Sequence, residues 1–213
     1  MSVQIFVIWE EENAVFCQDK TNTTMVARLF IGIPIASETI EQNVTSWRND
    51  PLLNGNLINW VKPINWHITL FFLGNQQESV IPLLQQFINE SFCSVITSNT
   101  NMNGIGVFSN LNNPKVLWIG PESIQCLMFA YCQLAELLKQ NGIISDNKPL
   151  KPHLTVARIK RIEDSASFES FLTQNQQFPF GSVAIDKVVL YESISTFNGP
   201  VYKPLFAKEL AIK

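Results

Sequence analysis

The sequence is poor in histidine, cysteine and charge. Two of its 213 residues are His, four are Cys and 15% are charged. The cysteines show no C-x-x-C spacing and have no neighbouring His, so the pattern predicts neither a zinc site nor a disulfide framework. A chain that lacks both is typical of a reducing compartment, and a cytoplasmic location is expected.

Positive charge and long apolar runs are also scarce. The 15 Lys and Arg are outnumbered by 18 Asp and Glu, which gives a formal net charge of −3. Proteins that coat long nucleic acids neutralise many phosphates with Lys and Arg, so the composition argues against this class, whereas contact with a nucleic-acid terminus stays open. The apolar run at residues 3–9 is short and is followed by three Glu, so neither a signal peptide nor a membrane span is predicted.

The apolar content of 46% suits one globular unit with a sizeable core. A strand-like run at residues 28–34 begins soon after Met25 and looks like a domain start. We therefore interpret residues 1–24 as an N-terminal extension and residues 25–213 as a single domain. No linker or low-complexity tract divides this domain.

Apolar periodicity predicts strands and helices in alternation. Helices are expected at about residues 37–47, 80–88, 124–138 and 168–172, with Gly142 placed to end the third. Strands are expected at residues 29–34, 66–73, 93–96, 105–108, 116–119, 153–159, 183–191 and 205–212, and a turn at residues 110–114. The order resembles an internal duplication in which each half contains one histidine.

The two histidines open the same short pattern. His67 is followed two places on by Thr69, and His153 by Thr155, although only 11 residues of the chain are Thr. Residues i and i+2 of a strand share one face, so each His is expected to project together with its Thr. If the two halves are related by a pseudo-twofold axis, the four side chains converge on one cleft.

Two imidazoles and two hydroxyls in one cleft suit the cleavage of a phosphodiester. One group must take a proton from the nucleophile and another must give one to the leaving oxygen, and imidazole, with an ordinary pKa of about 6.5, can do either. The hydroxyls can donate to the non-bridging oxygens. This scheme requires no metal or other cofactor. Two alternatives stay open: structural histidines, and a two-His metal site whose further ligands show no local spacing.

These motifs resemble the two-histidine phosphoesterases, and within them the LigT/ThpR type of RNA 2′,3′-cyclic phosphodiesterase, also called 2′-5′ RNA ligase. The similar segments are residues 28–30, 66–74, 116–120, 151–158 and 188–193. The resemblance implies an α+β fold of two pseudo-symmetric lobes, whose antiparallel sheets line a V-shaped cleft. It also implies hydrolysis of a terminal 2′,3′-cyclic phosphate to a 2′-phosphate. The expected substrates are RNA ends or small cyclic or 2′-5′ nucleotides, and the protein is expected to be a monomer.

The resemblance implies further site residues. Arg158 matches a position that contacts the phosphate, Phe72 matches one that touches the terminal base, and Lys151 is expected at the cleft rim. Provisionally, His153 is the base for water and His67 the acid for the leaving oxygen. Arg158 and Phe72 each lie five residues after a histidine, and strict alternation would aim them away from the catalytic face unless the strand bulges.

Three classes of function therefore stay open. They are a hydrolase, a ligase that runs the same site in reverse, and a non-catalytic module that binds phosphorylated ends. No P-loop or nucleotidyl-transfer lysine motif is present, so ATP-driven ligation is not predicted. Enzymes of this family that act on different RNA and nucleotide substrates share these motifs. The motifs therefore do not distinguish among the substrates.

Overall fold

The architecture is a single antiparallel sheet with helices packed on it. A computed structural model describes residues 25–109, 113–143, 149–197 and 199–212. Its strands are β1 Val26–Pro34, β2 Leu57–Trp60, β3 His67–Gln77, β4 Ser98–Phe108, β5 Val116–Pro121, β6 Leu154–Arg161, β7 Pro179–Ile185, β8 Lys187–Thr196 and β9 Gly199–Glu209. Its helices are α1 Glu38–Trp47, α2 Ile81–Ser91, α3 Met128–Gln140 and α4 Ser165–Asn175.

The strand order shows the duplication that the sequence predicts. The strands run β7-β4-β5-β6-β3-β1-β8-β9, and β2 pairs with the outer part of β6. At the centre, β3 and β6 are joined by the pair Ile68 and Leu154. We call β3, β1, β8 and β9 lobe A, and β6, β5, β4, β7 and β2 lobe B. The predicted α+β fold with two pseudo-symmetric lobes is confirmed.

The helices pack against the sheet and complete the core. Helix α1 begins as predicted, because the Ser37 side chain accepts from the Ile40 amide, and it buries Trp47 edge-on against Phe171 and Phe180. Helices α1 and α4 pack on lobe B, whereas α2 packs on lobe A and against α3. None of the helices in the described ranges is long and apolar enough to cross a bilayer.

Several predicted elements need correction. Residues 93–96 form no strand, because they make the connection out of α2 and contribute only an isolated bridge from Ile96 to Ala211. The expected strand at residues 183–191 is two strands, β7 and β8, separated at Asp186. Strand β2 was not predicted, since its four residues lie in a segment rich in Asn and Gly. Residues 1–24, predicted to be an extension, and residues 110–112 of the predicted turn lie outside the described residues.

Candidate active site

A β-bulge follows the first histidine motif. On β1 and β3, Gly32 pairs with Thr69 and Ile31 pairs with Phe71, so Leu70 is an extra residue on β3. Leu70 and Phe71 are consecutive and both buried. The extra residue therefore shifts the alternation of the strand by one position.

The same bulge follows the second motif at the equivalent place. On β5 and β6, Trp118 pairs with Thr155 and Leu117 pairs with Ala157, so Val156 is the extra residue. Val156 and Ala157 are again consecutive and buried. The duplication thus extends to a local irregularity of the backbone.

The bulges decide the orientation of the two residues at the odd offset of five. After a one-residue shift, Phe72 lies on the same face of β3 as His67, and Arg158 on the same face of β6 as His153. Phe72 is 44% exposed and Arg158 is exposed, whereas their neighbours Leu73 and Ile159 are buried. The bulges that these two residues need to reach the face of the histidines are therefore present.

The central pair of the sheet brings the two motifs together. Ile68 pairs with Leu154, and the two strands are antiparallel. Each step forward along β3 therefore corresponds to one step back along β6. Extended by one residue on either side, that register sets His67 opposite Thr155 and Thr69 opposite His153. We therefore infer that each imidazole has the other motif's threonine as its nearest residue on the facing segment.

Both imidazoles are oriented by the same kind of hydrogen bond. His67 Nδ1 lies 2.8 Å from the carbonyl oxygen of Asn65, and His153 Nδ1 lies 2.7 Å from that of Lys151. A carbonyl oxygen can only accept, so Nδ1 carries the hydrogen in each ring. The Nε2 atom of each neutral ring is therefore free to accept a proton and, once protonated, to donate it.

His67 lies among aromatic rings. Its ring centroid is 4.7 Å from that of Phe30 and 5.0 Å from that of Tyr202, which it meets edge-on, and Tyr191 lies 6.2 Å away. A Cβ at Gly32 would lie 3.0 Å from the carbonyl oxygen of Ile68, so the glycine lets β1 approach β3 closely beside this ring. The β8–β9 hairpin supplies both tyrosines, so it shields one side of this imidazole.

Burial lowers the pKa of His67, and the charges of His153 and Arg158 lower it further, while the hydrogen bond to Asn65 acts in the opposite direction. Burial also lowers the pKa of His153, against the effect of its bond to Lys151. Arg158 belongs to lobe B and His67 to lobe A, so a charge of one lobe contributes to the pKa of the histidine of the other. A positive charge on His153 opposes protonation of His67, which disfavours the doubly protonated pair.

A cavity of about 540 Å³ opens beside His153, a size that suits a small ligand. Four of the predicted site residues line it: Thr69, Phe72, Lys151 and His153. Phe108 also lines it and meets His153 edge-on at 4.5 Å, and Tyr131 of α3 and Leu150 complete this part of the wall. The other three predicted residues, His67, Thr155 and Arg158, are outside this lining.

Asn65, which contacts His67, is a residue of the site that the sequence did not predict. Its carbonyl oxygen accepts from His67 Nδ1, and its side-chain Nδ2 donates to the carbonyl oxygen of Pro200, 2.9 Å away at the start of β9. Asn65 and Lys151 each stand two residues before a histidine, a repeat that could have drawn attention to both. The hydrogen bond from Asn65 to Pro200, by contrast, joins residues 135 positions apart, so no local sequence pattern indicates it.

The fold and the paired histidines are those of a two-histidine phosphoesterase. A family profile described as the AKAP7 2′5′ RNA ligase-like domain matches residues 28–207. The chain belongs to this family.

Similar proteins support the same grouping. A curated protein of Thermotoga maritima, named RNA 2′,3′-cyclic phosphodiesterase, is 30% identical over 179 residues, which cover 84% of this chain and 93% of that protein. One of the same name from Aquifex aeolicus is 35% identical over 149 residues, covering 67% and 77%.

Solved structures share the fold at lower identity. The protein TT0787 of Thermus thermophilus matches with a TM-score of 0.69 and 24% identity, covering 86% of this chain and 97% of that one. E. coli LigT complexed with 3′-AMP matches with a TM-score of 0.66 and 22% identity, covering 87% and 99%.

Replacing Asn65 by alanine is expected to loosen the orientation of the His67 ring. The variant loses the hydrogen bond to Pro200, worth about 1 kcal/mol, which holds the turn that supplies the Nδ1 acceptor. ¹⁵N NMR of the two imidazoles checks this, because the chain has only two histidines. We expect the Nδ1-protonated tautomer of His67 to become less populated, while His153 keeps its own.

Ile64, 87% exposed in the same turn, offers the matched control, and Ile64→Ala is expected to leave both rings unchanged. An unaltered His67 tautomer in Asn65→Ala would show that the side chain does not position the ring.

Proposed function

We propose that this protein hydrolyses the terminal 2′,3′-cyclic phosphate of RNA to a 2′-phosphate, with His67 and His153 as its acid–base pair and without a metal. The observation that carries the proposal is the pair of imidazoles, each with Nδ1 bonded to a carbonyl and Nε2 free, beside two threonines on adjoining strands. The curated relatives named RNA 2′,3′-cyclic phosphodiesterase support the substrate class. The lining of the cavity beside His153 supports a nucleotide-sized ligand.

The reaction is a displacement at phosphorus. The oxygen of water forms a bond to phosphorus while its proton passes to a neutral imidazole Nε2. The bond between phosphorus and the 3′ oxygen breaks, and the other imidazole, protonated at Nε2, gives its proton to that oxygen. The product has a 2′-phosphate and a free 3′ hydroxyl, and exchange of protons with solvent restores the pair.

The surroundings of the two rings support the assignment of His153 as base and His67 as acid. His153 borders the open cavity, so water can reach its Nε2. His67 is enclosed by Phe30, Tyr191 and Tyr202, so it is shielded from bulk water on that side and is less suited to activate a water molecule.

Other side chains are assigned to binding. The hydroxyls of Thr69 and Thr155 donate to the non-bridging oxygens, and Arg158 adds positive charge where negative charge develops on phosphorus. Phe72 offers a ring face to the terminal base, and its orientation is supported by Arg28, whose guanidinium carbon lies 5.0 Å from the ring centroid. Lys151 lies at the rim of the same cavity.

Short RNA that ends in a 2′,3′-cyclic phosphate is expected to be converted to the 2′-phosphate by the purified protein in EDTA. Removal of either imidazole, in His67→Ala or His153→Ala, is expected to lower kcat by about 10²- to 10⁴-fold, because each removes one proton-transfer group. Phosphatase sensitivity and mass identify the product terminus.

A threonine outside the site provides the matched control for this assay. Thr69→Val and Thr155→Val are expected to lower kcat, whereas Thr39→Val, at an exposed position of α1, should not. A strict metal requirement would contradict the mechanism. Retained nucleotide binding without turnover of any cyclic or 2′-5′ phosphodiester would instead favour a non-catalytic binding module.

The pH dependence of kcat/KM is expected to be bell-shaped with its maximum on the acid side of about 6.5, the ordinary pKa of imidazole. This parameter reports the free enzyme, in which both imidazole pKa values are lowered. The pKa of the base, which limits the acid side of the profile, and the pKa of the acid, which limits the alkaline side, therefore both lie below about 6.5. Steady-state rates across the acid and neutral range check this, and a maximum above neutral pH would contradict it.

A further inference from the structure

The two lobes differ in charge where their backbones correspond. At five, seven and eight residues after the histidine, lobe A has uncharged residues, which are Phe72, Gly74 and Asn75. At the same offsets lobe B has three cations, which are Arg158, Lys160 and Arg161. The chain as a whole has a net charge of −3, so this concentration of cations departs from its overall composition.

The backbone places the three cations on one face of β6. Strand β2 pairs Ile58 with Ile159 and Leu57 with Arg161, so a second bulge leaves Lys160 as an extra residue. Ile159 is buried, whereas Arg158, Lys160 and Arg161 are all exposed. A bulge puts consecutive side chains on one side of a strand, so these cations continue the open face that begins at Thr155.

One of the three cations forms an ion pair with another of the described residues. Arg161 forms an ion pair with Glu163. Neither Arg158 nor Lys160 has an ion-pair partner in the ranges of the chain that the structure describes. Leu57, across from Arg161 on β2, is 54% exposed and adds apolar surface beside the cations.

We propose that Arg158, Lys160 and Arg161, the basic strip, extend the site outward along β6. Arg158 serves the reacting phosphate, and Lys160 and Arg161 bind the backbone of the RNA segment that precedes the reacting end. The strip leads outward from the catalytic face along β6, so an RNA whose end lies between the histidines meets it with its upstream phosphates. Lys and Arg at such positions neutralise phosphates and release counterions, and the exposed Leu57 gives an unpaired base an apolar contact. The substrate is accordingly a polynucleotide rather than a free cyclic mononucleotide.

This inference rests on the proposed function for the place of the reacting end, and it is tested by binding without turnover. The probes are a fluorescent single-stranded RNA of about eight nucleotides that ends in a 2′-phosphate, and a nucleoside 2′-phosphate as competitor. Dissociation constants are measured by anisotropy between roughly 50 and 200 mM salt. We expect the RNA to show a distinctly steeper salt dependence than the mononucleotide.

Two substitutions are expected to change the affinity of the basic strip for RNA in opposite directions. Lys160→Gln should weaken RNA binding by roughly threefold and reduce its salt slope by about 0.7, the value for one phosphate contact on a single strand. Glu163→Gln should strengthen RNA binding and steepen the slope, because it releases Arg161 from its ion pair. Lys139→Gln, at an exposed lysine of α3, is the matched control and should change neither quantity.

Equal salt slopes for the RNA and the mononucleotide, or a Lys160→Gln variant that binds the RNA like the wild type, would overturn the inference. So would weaker RNA binding by Glu163→Gln. Absence of hydrolysis by the wild type, with these salt slopes intact, would overturn the proposed reaction and leave the basic strip as an RNA-binding surface.

Discussion

The pairing of Ile68 with Leu154 is the contact on which the site depends. Each of these buried residues stands between the histidine and the threonine of its own motif, so joining them places the motifs side by side in opposite directions. The two residues are fully buried, and a polar replacement there would face the core of both lobes. One apolar pair thus serves at once as the centre of the sheet and as the support for all four polar groups.

The bulges add what regular strands could not provide. A regular strand that presents His67 and Thr69 would turn Phe72 into the core, and the same holds for His153, Thr155 and Arg158. One extra residue in each strand returns the fifth position to the open face, at the cost of two consecutive core side chains. Beyond that point the two strands differ in sequence, with an aromatic ring in lobe A and a run of cations in lobe B. A pseudo-symmetric backbone therefore presents an asymmetric open face.

Much of this arrangement could be predicted from the sequence, because period and composition are local signals. The repeated His-x-Thr pattern indicated the paired motifs, and apolar periodicity located the four helices of the described residues. The orientation of Arg158 and Phe72 could not be decided, since a bulge is defined by the register of a neighbouring strand and not by its own residues. The role of Asn65 was missed for a similar reason: its side chain bonds to Pro200, which is distant in the chain. Strand β2 was missed because its pairing with β6 leaves little periodic pattern in only four residues.

The central claim is that the two imidazoles act on one phosphorus as a unit, and the most direct test is the rate of the double variant His67→Ala/His153→Ala beside the two single variants. Groups that act in one step are strongly non-additive, so removing the second should cost little once the first is gone. The account predicts a kcat for the double variant within a few-fold of either single one. Losses that multiply, or a single variant that keeps nearly the wild-type rate, would contradict it.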